Sequence, residues 1–335
     1  MVVVSGGHRW ATRRIHSSLE REPCPLRYGA RPTAHYWSRM TLSLVLLAAG
    51  LGSRYGGPKQ LDPLGPHGET LMDYAAFDAA RAGFDRVVVV TRKTLVPEVR
   101  VGLVAKAGSA IDVVIVEQEL DRLPSGFAVP PGREAPWGTA HAVHVARDAV
   151  DGPFAVVNAD DFYGASSYAV LAGFLREREA GALDAWGCVG FPLRATLSDT
   201  GTVNRAECVA AADGWLSRVV ELRGIARDGD GGRVAGRRLP GDMLVSMNCW
   251  GFTPPLFAEL DAAFHAFLAT GPGEKEECML PTVVNDAIAR GVARTCLLES
   301  EGPWCGVTHR DDRPAAVAVL AELHARGAYP EHLWA

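Results

Sequence analysis

Four short runs constrain this chain more than any other feature: Leu42–Ala48, Arg86–Thr91 (RVVVVT), Ile111–Val116 and Phe154–Asn158. Each is nearly continuous in apolar residues rather than alternating. Between them lie stretches with helical spacing, at Thr70–Ala82, Val96–Ala107 and Thr139–Ala149, and another follows at Ser167–Glu179. Strands that are apolar on both faces must be covered on both faces, and helices between them supply the covers. The pattern predicts an α/β fold, a three-layer sandwich around a mixed, mostly parallel central sheet.

The second half reads differently. Ala185–Phe191, Thr202–Val209, Leu216–Glu221 and Leu244–Phe252 look like strands joined by turns. The segment 224–242, rich in Gly, Arg and Asp, reads as an exposed hairpin or mobile arm. Helices are expected at Pro255–Leu268, Pro281–Arg290 and Arg313–Arg326, with a strand at Ala293–Leu298. The loop Leu120–Pro136 holds four prolines and is long enough to serve as a lid or binding loop.

The 335 residues allow one large domain with embellishments or two domains at most. Residues 1–39 stand apart, with seven Arg against two Glu and no sustained period. They read as an Arg-rich targeting peptide or, preferably, as an extension upstream of a native start at Met40, and poor order is expected. Residues 40–330 then form a single domain, with 40–165 as its first half, 166–330 as its second and 224–242 as an arm on which a homo-oligomer could form. The net charge of -5 excludes a nucleic-acid binder that relies on a basic surface. No apolar run reaches the ~18 residues of a membrane span. The seven cysteines form no C-x-x-C pair and read as reduced core thiols of a cytoplasmic protein.

The strongest chemical signal is LLAAGLGSRYGGPKQL, Leu46 to Leu61. A buried strand ends in Ala48 and Ala49, and Gly50 and Gly52 open a tight loop before Ser53, Arg54 and Lys59. Glycine allows backbone N–H groups to reach phosphate oxygens. Arg54 offers a bidentate fork and Lys59 a point charge. The dinucleotide fingerprint fails because Tyr55 occupies the third glycine's place, and the G-K-[ST] phosphate loop fails because Lys59 lies between Pro58 and Gln60. An ordinary glycine turn with two surface cations is the plain alternative. A second signal is FAVVNADDFYG, in which a strand end delivers Asp160 and Asp161, whether to a metal or only to cap the next turn. In PWGTAHAV, Gly138 permits close approach and Thr139 can cap a helix.

These segments resemble the signature of the sugar-phosphate nucleotidyltransferases, with their nucleotide-diphospho-sugar transferase fold. The resemblance extends over nearly all of 42–323. It implies that Ala48, Ala49, Gly50, Gly52, Ser53, Gln118, Gly138 and Thr139 bind the nucleotide, with Gln118 at the base edge. It implies catalytic roles for Arg54 and Lys59 and a Mg²⁺ held by Asp160 with Asp161 beside it. Glu221 and Asn248 match positions that bond sugar hydroxyls, although Glu221 could equally pair with Arg218 or Arg223. Trp304 is placed near the sugar pocket. In GPWCGVTHRDD the chain departs from the pattern: Gly306 stands where relatives carry a second acid, so that either Asp311 or Asp312 substitutes or the site uses one protein carboxylate plus waters. His141 and His309 lie near these motifs but read as core or solvated residues.

The implied reaction is transfer of a nucleotidyl group from a nucleoside triphosphate, UTP or dTTP by preference, to a sugar 1-phosphate with release of pyrophosphate. The short Arg54-to-Lys59 spacing also resembles cytidylyltransferases of polyol or choline phosphates. The glycine at 306 keeps open a non-catalytic nucleotide-sugar-binding paralogue. No nucleic-acid or membrane partner is expected.

Overall fold

The computed structural model describes residues 40–50, 59–177, 185–199, 201–307 and 310–334. The expectations for residues 1–39, for Gly52, Ser53 and Arg54, and for His309 fall outside them.

Strands β1 (Ser43–Leu47), β2 (Arg86–Thr91), β3 (Asp112–Glu117) and β4 (Phe154–Asn158) lie side by side in the order β3-β2-β1-β4, all parallel. Val45, Val88, Val90 and Val156 face one apolar core, while Leu44, Leu46, Val87, Val89 and Val157 face another. That two-sided burial is the reason these strands read as unbroken apolar runs. Helix α1 (Leu71–Ala82) follows a capping box: Thr70 Oγ1 accepts from the Asp73 amide, and the Thr70 amide donates to Asp73 Oδ2 at 2.8 Å. It ends at Gly83, whose φ of 85° suits glycine. The helical stretch after β2 is composite, with α2 (Val96–Val99), a π-helical turn over Arg100–Val104 and α3 (Ala105–Ala107). Helix α4 (Thr139–Val145) precedes β4.

Beyond β4, the two-residue strand β5 (Asp161–Phe162) leads into α5 (Gly164–Arg176). There follow β6 (Ala185–Pro192), β7 (Val203–Ala210), β8 (Trp215–Asp228), β9 (Gly231–Val234), β10 (Arg237–Leu239) and β11 (Leu244–Phe252). Helices α6 (Leu256–Ala269) and α7 (Leu280–Ala289), strands β12 (Arg294–Glu299) and β13 (Cys305–Gly306), and helix α8 (Arg313–Ala325) complete the described chain.

The expectation of a mostly parallel sheet needs correction. Parallel pairing is confined to β3-β2-β1-β4 and to β6 with β12; every other ladder among the described residues is antiparallel. Strand β7 pairs with both β11 and β8, so β8-β12-β6-β11-β7 returns to β8 as a barrel-like ring. The architecture is a mixed α/β fold with a parallel sheet on one side and this ring on the other.

Strand β11 joins the two. Its start pairs with β7 at Val245 and Ser246, and its end pairs with β4 at Trp250–Phe252. Between Ser246 and Trp250 its register on β6 shifts, and Asn248 in that bulge has a φ of 62°. A bulge re-aims side chains where a sheet divides. Of the two readings of 224–242, the hairpin is the one found: β8 runs through it to Asp228, and β9 and β10 form a hairpin whose base buries Ile225 and Leu239 completely.

Cys188, Cys208, Cys249, Cys278 and Cys305 are free thiols. Among the described residues no helix is long and apolar enough to cross a membrane.

Candidate active site

The end of β1 and the turn after the glycine loop are locked together. The Gln60 amide donates to Ala48 O at 2.9 Å, and Thr91 Oγ1 donates to the same carbonyl. Gln60 therefore fixes the short 3-10 turn Lys59–Leu61 against the strand end. Lys59 Nζ then lies 3.0 Å from Asp160 Oδ2. The ammonium is largely covered, while the Asp160 side chain keeps 41% of its surface exposed. The residue after the glycine loop and the residue after β4, 101 positions apart, thus meet at one point.

That point opens on a cavity of about 1120 Å³ between the parallel sheet and the ring. Lys59, Asp160, Asp161 and Asn158 line it on the parallel side. Asn204, Arg205, Glu221, Ser246, Asn248 and Trp304 line it on the ring side, with Thr139, Thr282 and Asn285 from the helices.

The two adjacent acids occupy opposite environments. Asp160 faces the cavity. Asp161 is buried, its Oδ2 accepting from Asn158 Nδ2 at 3.0 Å and from Tyr163 OH at 3.3 Å. Burial pushes the Asp161 carboxyl up to about 6, and the charge of Asp160 pushes the same way; Lys59, the Asn158 bond and Arg205 oppose them. A network continues outward from Asp161. Asn248 Nδ2 donates to Asn158 Oδ1 at 2.7 Å, Trp250 Nε1 donates to Asn248 Oδ1 at 2.9 Å, and Tyr163 OH lies 2.8 Å from Met247 O. The bulge in β11 is thereby tied to the acidic end of β4.

The remaining sequence candidates divide. Glu221 and Trp304 line the cavity, and Glu221 also pairs with Arg223 at 3.0 Å. Ala48 and Ala49 are buried at the strand end, with Gly50 exposed beyond them. Thr139 lines the cavity but does not cap its own helix, whose N-cap is Gly138. Its Oγ1 accepts from the amide of Leu280, the first residue of α7. Gly138 is required by packing against the chain itself: with φ at 100°, a Cβ there would lie 2.5 Å from Cys278 O. Gln118 is turned inward, its Nε2 donating to Gly138 O and contacting His141 Nδ1 at 3.1 Å. His141 is a core residue held near 4 by burial, so its Nε2 carries the proton that goes to Arg122 O. None of residues 120–136 lines the cavity. Arg133 stacks on Trp137 at 3.7 Å and donates to Gly273, Pro136 and Glu276 carbonyls, pinning that loop's end.

Gly306 has a local cause. It pairs with Asp161 across the β5–β13 ladder, and a Cβ there would lie 2.5 Å from Asp161 Oδ1 and 2.6 Å from the Trp304 ring. No acid fits at 306 while Asp161 stands where it does. Asp311 lines the cavity, but among the described residues no three His, Cys, Asp or Glu side chains cluster as a metal cage. Mg²⁺ does not need such a cage, because it keeps waters and takes one or two carboxylates. The hard, cavity-facing oxygens of Asp160 fit that requirement.

Sequence reading passed over Asn158, Tyr163 and Arg205. Asn158 and Tyr163 lie inside the FAVVNADDFYG motif, so a polar residue at an apolar strand's end was the available signal for Asn158. Arg205 gave a fainter one, a lone guanidinium within an otherwise half-apolar strand.

Residues 44–160 match the family model described as the MobA-like NTP transferase domain. The match runs from β1 to the first acid after β4. A search of curated proteins by sequence finds no match. Among solved structures, it is similar to the inositol-1-phosphate CTP transferase from T. maritima, with a TM-score of 0.55 over 84% of this chain and 96% of that one. It is similar to a UDP-glucose pyrophosphorylase complexed with UDP-glucose, with a TM-score of 0.56 over 84% and 98%. It is also similar to a putative glucose-1-phosphate thymidylyltransferase from Bacillus anthracis, with a TM-score of 0.54 over 84% and 95%. Each is 14% identical in sequence. This likeness is one of fold, over 84% of this chain.

Proposed function

We propose that the chain transfers a nucleotidyl group from a nucleoside triphosphate to a sugar 1-phosphate, giving a nucleotide sugar and pyrophosphate. The observation that carries this reading is the 3.0 Å contact between Lys59 and Asp160 at the rim of a cavity whose other wall holds Glu221 and Asn248. A cation for polyphosphate, an acid for a divalent ion and polar groups for a polyol all address one space.

An oxygen of the acceptor phosphate attacks the α-phosphorus, forming the new P–O bond. The bond from that phosphorus to the α–β bridging oxygen breaks, and pyrophosphate leaves with its electron pair. The acceptor phosphate is already ionised at neutral pH, so no protein nucleophile is required. Catalysis is then positioning and charge stabilisation. Lys59, with Arg54 of the same loop, offsets charge on the phosphates. Asp160 would hold Mg²⁺, which when bound neutralises phosphate charge. Asn158 and Tyr163 hold Asp161 behind it. Glu221 and Asn248 accept and donate to acceptor hydroxyls, and Trp304 covers the ring.

UTP or dTTP is the preferred donor. Base reading by Gln118 would rest on its carbonyl oxygen, since its amide nitrogen is already engaged. The solved structures it resembles include a CTP transferase, a UDP-glucose pyrophosphorylase and a putative thymidylyltransferase at nearly equal likeness. The test is a matrix of five triphosphates against sugar 1-phosphates, inositol phosphate and choline phosphate, read as pyrophosphate release. Release that needs both a triphosphate and a sugar 1-phosphate supports the proposal. Tight nucleotide-sugar binding with no release from any pair would instead favour a non-catalytic binder.

A further inference from the structure

Arg205 is a buried cation that no carboxylate holds. It lies on β7 with 9% of its surface exposed and lines the cavity. Its Nε donates to Thr196 O at 3.0 Å, its Nη2 donates to the same carbonyl, and its Nη1 donates to Asn204 O at 2.8 Å. The guanidinium carbon sits 5.2 Å from the centroid of the Trp304 ring. None of the ion pairs among the described residues includes it. Burial lowers its proton affinity to about 10, against the fields of Asp161 and Asp312, so it remains charged at neutral pH.

A charge taken out of water is costly unless something compensates it. Backbone carbonyls satisfy three of its N–H groups and fix the plane, leaving part of the fork directed by the protein and unspent. A fixed guanidinium fork suits the paired oxygens of a phosphate or carboxylate. Its place in the cavity narrows the choice. Arg205 and Glu221 both line the cavity, and the field of Arg205 reaches Asp161. It therefore shares one space with the acidic end of β4 and the carboxylate assigned to acceptor hydroxyls.

We propose that Arg205, backed by the face of Trp304, binds the phosphoryl group of the acceptor and presents it to the triphosphate. This rests on the transfer reading above and assigns a residue to a task that reading leaves unfilled. It makes Arg205 a determinant of acceptor affinity rather than of donor affinity.

The test compares wild type with Arg205→Gln and Arg205→Lys, using the best acceptor from the matrix. Loss of a charge-assisted contact should raise the acceptor KM by roughly 10- to 100-fold for Arg205→Gln, with an intermediate rise for Arg205→Lys. The triphosphate KM should stay within about 2-fold. An unchanged acceptor KM, or an equal rise in both KM values, overturns the proposal. If Arg205→Gln does not fold, Arg205→Lys carries the same comparison. A second arm needs no turnover: calorimetry with inorganic phosphate, with the triphosphate site saturated by a non-hydrolysable analogue. Binding lost in Arg205→Gln but kept in wild type supports the assignment, and equal binding overturns it. Absence of pyrophosphate release from every pair in the matrix sinks the transfer reading instead, and the calorimetric arm still decides the role of Arg205.

Discussion

The two walls of the cavity are built by opposite means. The parallel wall, β3-β2-β1-β4, carries its functional groups just past strand ends, at Lys59 and at Asp160. The ring wall carries its groups within strands, at Arg205, Glu221 and Asn248. Parallel strands all open their carboxyl ends on one edge, where loops can close on a ligand. Antiparallel strands have no common end, so a site there must use side chains along the strand, re-aimed where register fails. Asn248 does this by sitting in a bulge in the left-handed region, with its amide spanning Asn158 and Trp250. On the proposed reading, charge handling at the triphosphate falls to the first wall, and acceptor binding, its phosphoryl group included, to the second.

The largest expected effect falls on the parallel wall. Lys59→Ala and Asp160→Ala should each lower turnover by more than ~100-fold, the scale of losing one preorganised charge contact. The readout is pyrophosphate release at saturating substrates. Near-normal turnover in both variants would break the assignment of this wall to the chemistry.

Smaller changes, of a different kind, are expected on the ring wall. Glu221→Gln should raise the acceptor KM by about 10-fold with little change in turnover. Asn248 separates backbone from side chain. Asn248→Gly and Asn248→Ala both lose the bonds to Asn158 and Trp250 and should raise the acceptor KM alike. Alanine must also adopt the φ of 62°, which costs about 1 kcal/mol more than glycine. Chemical denaturation of both variants measures that difference. If turnover rather than acceptor KM collapses in Glu221→Gln, the division between the walls fails.

Much of this division was legible in the chain because the parallel wall is local. The spans of β2 and β4 are readable from Val runs, and the glycine loop and the Asp160–Asp161 pair announce themselves by composition. The ring was legible as strands but not as a ring. Closure depends on β7 meeting both β11 and β8, pairings that no periodicity records. Equally unrecorded are the partners of Gly138 and Thr139, Cys278 and Leu280, about 140 positions away. Gly306 reads as a missing acid in the chain; in the fold it is the neighbour that the Asp161 carboxylate requires.

The junction between the walls should show in the pH profile. Asp161 is pushed up to about 6 mainly by burial, and the Asn158 bond favours its charged form. If its charge is needed beside Asp160, kcat/KM should fall as pH drops through about 6. Asn158→Ala removes a bond that favours the charged form, so the acid limb should move to higher pH. A limb that stays in place in Asn158→Ala would remove Asp161 from the chemistry.

The smallest effect on activity is expected behind the parallel wall, at a second buried acid that isolates burial from the cations of the cavity. Asp78 on α1 is 1% exposed, its Oδ2 accepts from Tyr329 OH at 2.7 Å, and its buried Oδ1 has no partner. Burial raises it from 3.8 to about 7, only partly opposed by the Tyr329 bond and Arg81. The folded chain therefore holds a proton that the unfolded chain has already released between those two values. Stability must fall as pH rises across that window, and the full penalty is present above it. Asp78→Asn keeps an acceptor for Tyr329 and cannot ionise. It should match wild type near pH 4, exceed it at pH 8 by on the order of a few kcal/mol, and leave pyrophosphate release within about 2-fold. Urea unfolding at the two pH values measures this. A variant no more stable than wild type at pH 8 would mean that Asp78 ionises in the folded protein without cost, and that burial alone does not explain the shift at Asp161.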